Sequence, residues 1–248
     1  MSYLNFDKAL LINLERSLSK EMIRTNRAGA YNSTTLIDCN TRKYHGQLVL
    51  PLAGELPEDN YVLLGSLDET VIQHGAEFNL GLHKYGWNNF SPNGHKYIRE
   101  FDCEVISKTT YRVGGVVLTK ERLLVSFEPR VLIRYTLVEA HSPTTLRLKP
   151  YLAFRSVHEL AKENTDANSD MREVENGRAN RIHQAGNPLL EHINEGDQTG
   201  DGKTVGELVA LSDPGANPCL GDLEHQEHHH RKNGKSHPFI GEDCIDLI

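Results

Sequence analysis

The chain has 248 residues, with 27 Lys or Arg against 34 Asp or Glu and a formal charge of −7. That length suits one ordinary domain or a large domain with a tail. The acidic balance argues against general nucleic-acid binding, and no apolar run approaches the roughly 20 residues that span a bilayer. The N-terminus, MSYLNFDKALLINLERS, lacks a basic start, a clean apolar core and a small-residue cleavage site. A cytoplasmic protein without a membrane partner is therefore expected. Cys39, Cys103, Cys219 and Cys244 are widely separated and form no CxxC. This pattern fits free thiols in a reducing compartment better than a disulfide framework or a zinc site.

KALLINLERSLSKEMI is ambiguous. Leu10, Leu14 and Leu18 recur at helical spacing, yet the stretch can also supply two edge strands. TNRAGAYNSTT, Thr25 to Thr35, sets Gly29 among small neighbours, and Asn26 can cap a turn. No Gly-Lys-Ser/Thr follows, so it is not a phosphate loop.

NTRKYHG, Asn40 to Gly46, packs Arg42, Lys43, Tyr44 and His45 side by side between two apolar runs. Arg42, Tyr44 and His45 can bind sugar hydroxyls or order a neighbouring carboxylate. The competing reading buries and hydrogen-bonds Tyr44 and His45 and pairs Arg42 with an acid.

NYVLLGSLDETVIQHGAEFNLG reads as two strands about a His74-Gly75 turn. Its Asp68 and Glu69 are adjacent, so on a strand they point to opposite faces and cannot serve together as a glycosidase acid and base. A solvated turn is expected at SLDET. KYGWNNFSPNGHKYIREF holds the sole tryptophan, Trp87, with Tyr85, Phe90 and Tyr97. These aromatics either stack on sugar rings or pack as a loop over the strands.

TTYRVGG and VVLTKERLLVSF flank Gly114-Gly115 as a hairpin. PRVLIRYTLVEA alternates, with Val131, Ile133, Tyr135 and Leu137 on one face and Arg134 and Thr136 on the other. TTLRLKPYLAFRS follows the turn-like His141-Ser142-Pro143 and delivers Arg155 and His158 to a strand end, a second polar cluster near which Arg42, Tyr44 and His45 are expected to gather on one side of the sandwich. RSVHELAKEN reads as a short helix or a strand end. Short strands with regular turn signals indicate an all-β fold, an antiparallel β-sandwich.

Composition changes near Gly177. Residues 178–248 hold 6 Lys or Arg against 12 Asp or Glu, and of 17 aromatic residues only Phe239 lies there. Such a segment has little apolar surface to offset the roughly 1–2 kcal/mol per residue lost in backbone entropy on ordering. The expectation is a folded domain over 1–177 and an irregular, acidic, His-containing C-terminal tail over 178–248, with at most a short helix around Thr204–Leu211. HQEHHH, His225 to His230, can hold a transition metal but reads as adventitious, so no metal site or cofactor is assigned.

In order and spacing, TNRAGAY, NTRKYHG, SLDET, YRVGGVVLTKE and AFRSVHEL resemble the N-terminal domain of bacterial and archaeal glycogen debranching enzymes of the amylo-α-1,6-glucosidase type. The resemblance covers residues 8–177. It implies a β-supersandwich preceding an (α/α)6 barrel, whose carboxylates hydrolyse α-1,6 branch points and against which the sandwich packs. The implied partners are an α-glucan and that barrel. Arg42, Tyr44, His45, Trp87, Arg155 and His158 are the expected substrate-binding residues, and no catalytic residue is assigned.

After Gly177 the family continues with aromatic-rich strands, whereas RANRIHQAGNPLLEHINEGDQ departs from that pattern. The 248 residues are expected to end before any barrel, as a shifted reading frame, a damaged gene or a truncated gene model would each produce. Three functions follow: a debranching-enzyme domain inactive alone, a free-standing glucan-binding module using Trp87, Tyr85 and Tyr97, or a non-functional or partner-dependent structural remnant.

Overall fold

The computed structural model describes residues 4–52 and 59–160 in full and, beyond them, the backbone of five short strands. In chain order the elements begin with β1 (Leu4–Asp7), α1 (Lys8–Leu11), α2 (Leu14–Leu18), β2 (Glu21–Thr25), β3 (Tyr31–Thr35) and β4 (Gly46–Leu52). Next come β5 (Asp59–Gln73), β6 (Ala76–Asn79), β7 (His83–Tyr85), β8 (Asn89–Ser91) and a 3-10 turn at Gly94–Tyr97. The remaining fully described strands are β9 (Ile98–Cys103), β10 (Ser107–Val113), β11 (Val116–Leu124), β12 (Arg130–Glu139) and β13 (Thr144–Ser156). The last five are β14 (Met171–Val174), β15 (Gly177–Asn180), β16 (Leu190–Ile193), β17 (Lys203–Leu211) and β18 (Asp243–Leu247).

The ambiguous N-terminal stretch resolves into two single-turn helices and then β2. Asp7 and Asn13 cap them, accepting from the backbone N–H of Leu10 at 3.1 Å and of Arg16 at 3.0 Å. All strand pairings are antiparallel, in a nine-stranded sheet (β1-β9-β10-β11-β12-β17-β16-β15-β14) and a seven-stranded sheet (β18-β13-β5-β4-β3-β2, with β6 on β5). β7 and β8 form a separate two-stranded ribbon.

The sheets face each other across one apolar core. Leu48, Leu64, Leu67, Leu146 and Leu148 come from the seven-stranded sheet, and Phe101, Tyr111, Leu118, Val131, Ile133 and Tyr135 from the nine-stranded sheet. Alternation decides which side chains enter: on β12 Val131, Ile133 and Tyr135 are buried while Arg134 is exposed. On β4, Leu48 and Leu50 join this core, but the intervening Val49 joins a second small cluster with Val62 and Val157, flanked by Tyr31 and Ala153. That cluster marks the outer face of the seven-stranded sheet.

The expected turns form where both central residues reach positive φ. Gly114 and Gly115 have φ of 56° and 83°, closing β10 onto β11 with Val113 opposite Val116. The antiparallel sandwich is thus as the strand pattern reads.

Two local expectations are corrected. SLDET is not a solvated turn: β5 runs through it, and Asp68 and Glu69 are both buried because each finds a partner described below. Thr204–Leu211 is not a helix either. It lies in β17, which pairs with β12 from Arg130 opposite Leu211 to Leu137 opposite Lys203. The open edge of β12 offers this segment ladder hydrogen bonds, which outweigh its weak helical spacing.

β18 likewise pairs with β13, so strands of the sheets continue beyond Gly177. Apart from β15 to β18, the expected tail, His225–His230 included, lies outside the described residues. No described helix is long and apolar enough to cross a membrane.

Candidate functional site

The NTRKYHG loop joins β3 to β4 and meets the end of β13. Arg155 donates from Nη2 to the Lys43 carbonyl at 2.7 Å and from Nη1 to the Glu159 carbonyl at 2.8 Å. Lys43 Nζ donates to the His158 carbonyl at 3.0 Å and lies 5.6 Å from the Tyr44 ring centroid. The Tyr44 hydroxyl is 3.4 Å from His158 Nδ1, with the two rings edge to face at 5.8 Å. The Tyr31 hydroxyl donates to the Tyr44 carbonyl at 3.2 Å.

Asp59 anchors the other side of this corner. It accepts from the Ser156 hydroxyl and lies 3.5 Å from His158 Nε2; the Ser156 bond holds its carboxyl below the usual range. Burial lowers the Arg155 guanidinium, opposed by Tyr31. Among the described residues neither Lys43 nor Arg155 has a carboxylate partner, so the corner carries two cations hydrogen-bonded to backbone carbonyls.

Sequence reasoning anticipated a meeting of these two segments, and Tyr44, Arg155 and His158 do meet. Arg42 and His45 turn elsewhere. Arg42 Nε donates to Glu21 Oε1 at 2.6 Å. His45 is buried; its Nδ1 accepts from the Thr41 N–H at 3.1 Å, which leaves the proton of the neutral ring on Nε2. Nε2 has no hydrogen-bond partner and stands 3.7 Å from Glu21 Oε1. Burial lowers the His45 imidazole below its ordinary value against the pull of Glu21. For His45 and Arg42 the structural alternative therefore describes the contacts, whereas Tyr44 stays 43% exposed.

Trp87 takes no part in the corner. It sits on the β7–β8 ribbon and is 99% exposed, with Tyr85 beside it at 54%. Tyr97 and Phe90 instead pack against the core, Tyr97 with its ring 6.1 Å from that of Phe78.

A buried ionic group escaped sequence reasoning. Lys120 Nζ on β11 lies 2.5 Å from Glu69 Oε1 on β5 and 3.1 Å from Asp38 Oδ2 in the β3–β4 loop. Arg122 Nη1 donates to Asp38 Oδ1 at 2.6 Å and to Gln47 Oε1 at 2.7 Å. The Tyr135 hydroxyl donates to Glu69 Oε1 at 2.6 Å. Asp38 adopts φ 56°, a left-handed conformation that Asp tolerates, and thereby reaches both cations.

The charges sort by their surroundings. Burial would raise the Asp38 carboxyl, but Arg122 and Lys120 hold it below its ordinary value. Burial wins at Glu69, whose carboxyl is raised despite Lys120 and Tyr135. Burial opposes the charge on Lys120, yet Asp38 and Glu69 raise its ammonium. A signal existed: Val116, Leu118, Lys120 and Arg122 share one strand face, so two cations stand in line with core residues.

No described group of His, Cys, Asp and Glu side chains could hold a metal ion. Cys39 and Cys103 are free and buried, and burial pushes the Cys39 thiol up to about 11.

These features define an all-β sandwich module, fastened internally by charge, that concentrates its outward chemistry in a few loops and one ribbon. The chain belongs to the glycogen debranching enzyme N-terminal family, whose model matches residues 20–207. The match begins just before β2, takes in the corner and the buried charges, and ends within β17. No curated protein matches the chain.

Proposed function

We propose that this domain contributes glucan contacts and supports the active-site side of an (α/α)6 catalytic barrel, with the Lys43, Tyr44, Arg155 and His158 corner as the contact. One observation carries the reading: Lys43 and Arg155 bring two cations without a described carboxylate partner beside the half-open Tyr44 and His158 rings. Ammonium, guanidinium, phenol and imidazole donors beside aromatic faces suit glucosyl hydroxyls, and they equally suit a carboxylate on an adjoining domain. Membership in the family supports a glycogen-like α-glucan as the substrate class.

The test is retardation of the 248-residue chain in glycogen-containing native gels. His158→Ala combined with Lys43→Met should weaken retardation about tenfold, the scale of one or two charge-assisted hydrogen bonds. Unchanged retardation, with the fold intact by circular dichroism, would remove the corner from glucan binding.

A further inference from the structure

The β7–β8 ribbon joins its strands through Gly86, Trp87 and Asn88, with Tyr85 opposite Asn89. Gly86 takes φ 61°, a conformation that suits glycine. This exposed tip rests on a rigid base. His83 Nε2 lies 2.8 and 2.9 Å from the two carboxylate oxygens of Asp68. The Tyr151 hydroxyl donates to Asp68 Oδ2 at 3.3 Å, and its ring lies 5.2 Å from that of His83. The His83 ring in turn lies 6.2 Å from that of Tyr85. Gly81 completes the base: a Cβ there would stand 2.5 Å from Asp68 Oδ1, so only glycine lets the chain pass so close to that carboxylate. Three rings thus lead from the sheet to a tip where an indole stands almost fully in water.

We propose that this tip is a stacking site for a glucosyl ring of an α-1,4-linked glucan, with Trp87 as platform and Tyr85 beside it. The linkage class rests on the glucan reading above; the site itself rests on the ribbon. An indole face matches the C–H face of a pyranose. Asn88 and Asn89 are exposed beside it and can bond vicinal hydroxyls. A protein partner fits less well. A stable interface needs about 800 Å² from each side, and a five-residue tip that brings no aliphatic side chain supplies a small part of that. The Asp68–His83–Tyr151 base keeps the platform in place before a sugar arrives, which lowers the ordering cost of binding.

Trp87 is the sole tryptophan in the sequence, so its emission reports this tip and nothing else. Maltoheptaose titrated into the 248-residue chain should shift that emission saturably. Tyr85→Ala should weaken the apparent affinity about tenfold, while Val138→Ala, an exposed side chain on β12 outside both the ribbon and the corner, should leave it unchanged. Trp87→Ala removes a side chain with almost no protein contact, so it should keep the thermal midpoint and weaken retardation in glycogen gels. The proposal is overturned by an emission that maltoheptaose does not alter, by an equal response to cellohexaose, or by a response only to an added protein. If corner variants abolish glycogen retardation while maltoheptaose leaves the Trp87 emission unmoved, the corner reading stands and this one falls.

Discussion

Lys120 Nζ lies 2.5 Å from Glu69 Oε1, and this pair ties β11 of one sheet to β5 of the other inside the sandwich. Removing one member of a buried pair leaves the other charge without compensation and costs about 3–5 kcal/mol. Lys120→Met should destabilise the domain by that order in urea unfolding. Adding Glu69→Gln should recover about half of the loss, because the remaining amide can still accept from Tyr135. A Lys120→Met variant as stable as the parent would show that the pair does not fasten the sheets.

Gly46 closes NTRKYHG for want of space. A Cβ there would stand 2.8 Å from Val49 Cγ2 and 2.9 Å from Val62 Cγ1. Gly46→Ala should cost about 1–3 kcal/mol by overpacking, read as a lower thermal midpoint. Gly46→Ala with Val62→Ala should regain part of it if the clash is the cause.

His45 gives stability a pH dependence. Its folded value is lowered by burial, so the native state favours the neutral ring. The contribution is therefore fully present above about pH 6.5, the ordinary histidine value, and is lost as pH falls through the depressed folded value. Protonation would also set a hydrogen on Nδ1 against the Thr41 N–H. His95, likewise lowered by burial, acts in the same sense. Urea midpoints between pH 7.5 and 5 should fall for the parent and fall less steeply for His45→Asn.

The 248-residue chain should release no glucose from a branched α-glucan. A glycosidase needs two carboxyls flanking the bond, roughly 5–10 Å apart. Asp68 and Glu69 do not form such a pair: Asp68 is engaged by His83 and Tyr151, and Glu69 by Lys120 and Tyr135 in the interior. Glucose release by the purified chain, lost on replacing one of its carboxylates, would overturn this.

Much of the strand framework was legible in the sequence. Period-two alternation placed Val131, Ile133 and Tyr135 inward, and His74-Gly75 and Gly114-Gly115 located two hairpin turns. Local signals failed where tertiary partners decided the outcome. SLDET looks like a polar turn because nothing nearby announces Lys120, about fifty residues on. KTVGELVAL lacks a strong pattern of its own and becomes a strand because β12 presents an edge.

In the site, juxtaposed polar segments foretold the meeting of Tyr44 with His158. Adjacency along NTRKYHG could not tell which side chains turn outward. Arg42 and His45 turn to Glu21, more than twenty residues upstream, and only the pairing of β2 with β3 brings it close.

Asp38 bears on how the domain would carry mechanical load. The loop that holds Tyr44 leaves β3 next to Asp38, and Asp38 is bonded to Lys120 and Arg122 on the opposite sheet. A push on Tyr44 from a docked neighbour would then be shared between the short covalent link to β4 and a charged strut crossing the interior to β11. The corner would yield little under such a push, as a bearing surface should, and cutting the strut with Asp38→Ala would soften it without touching any group it presents.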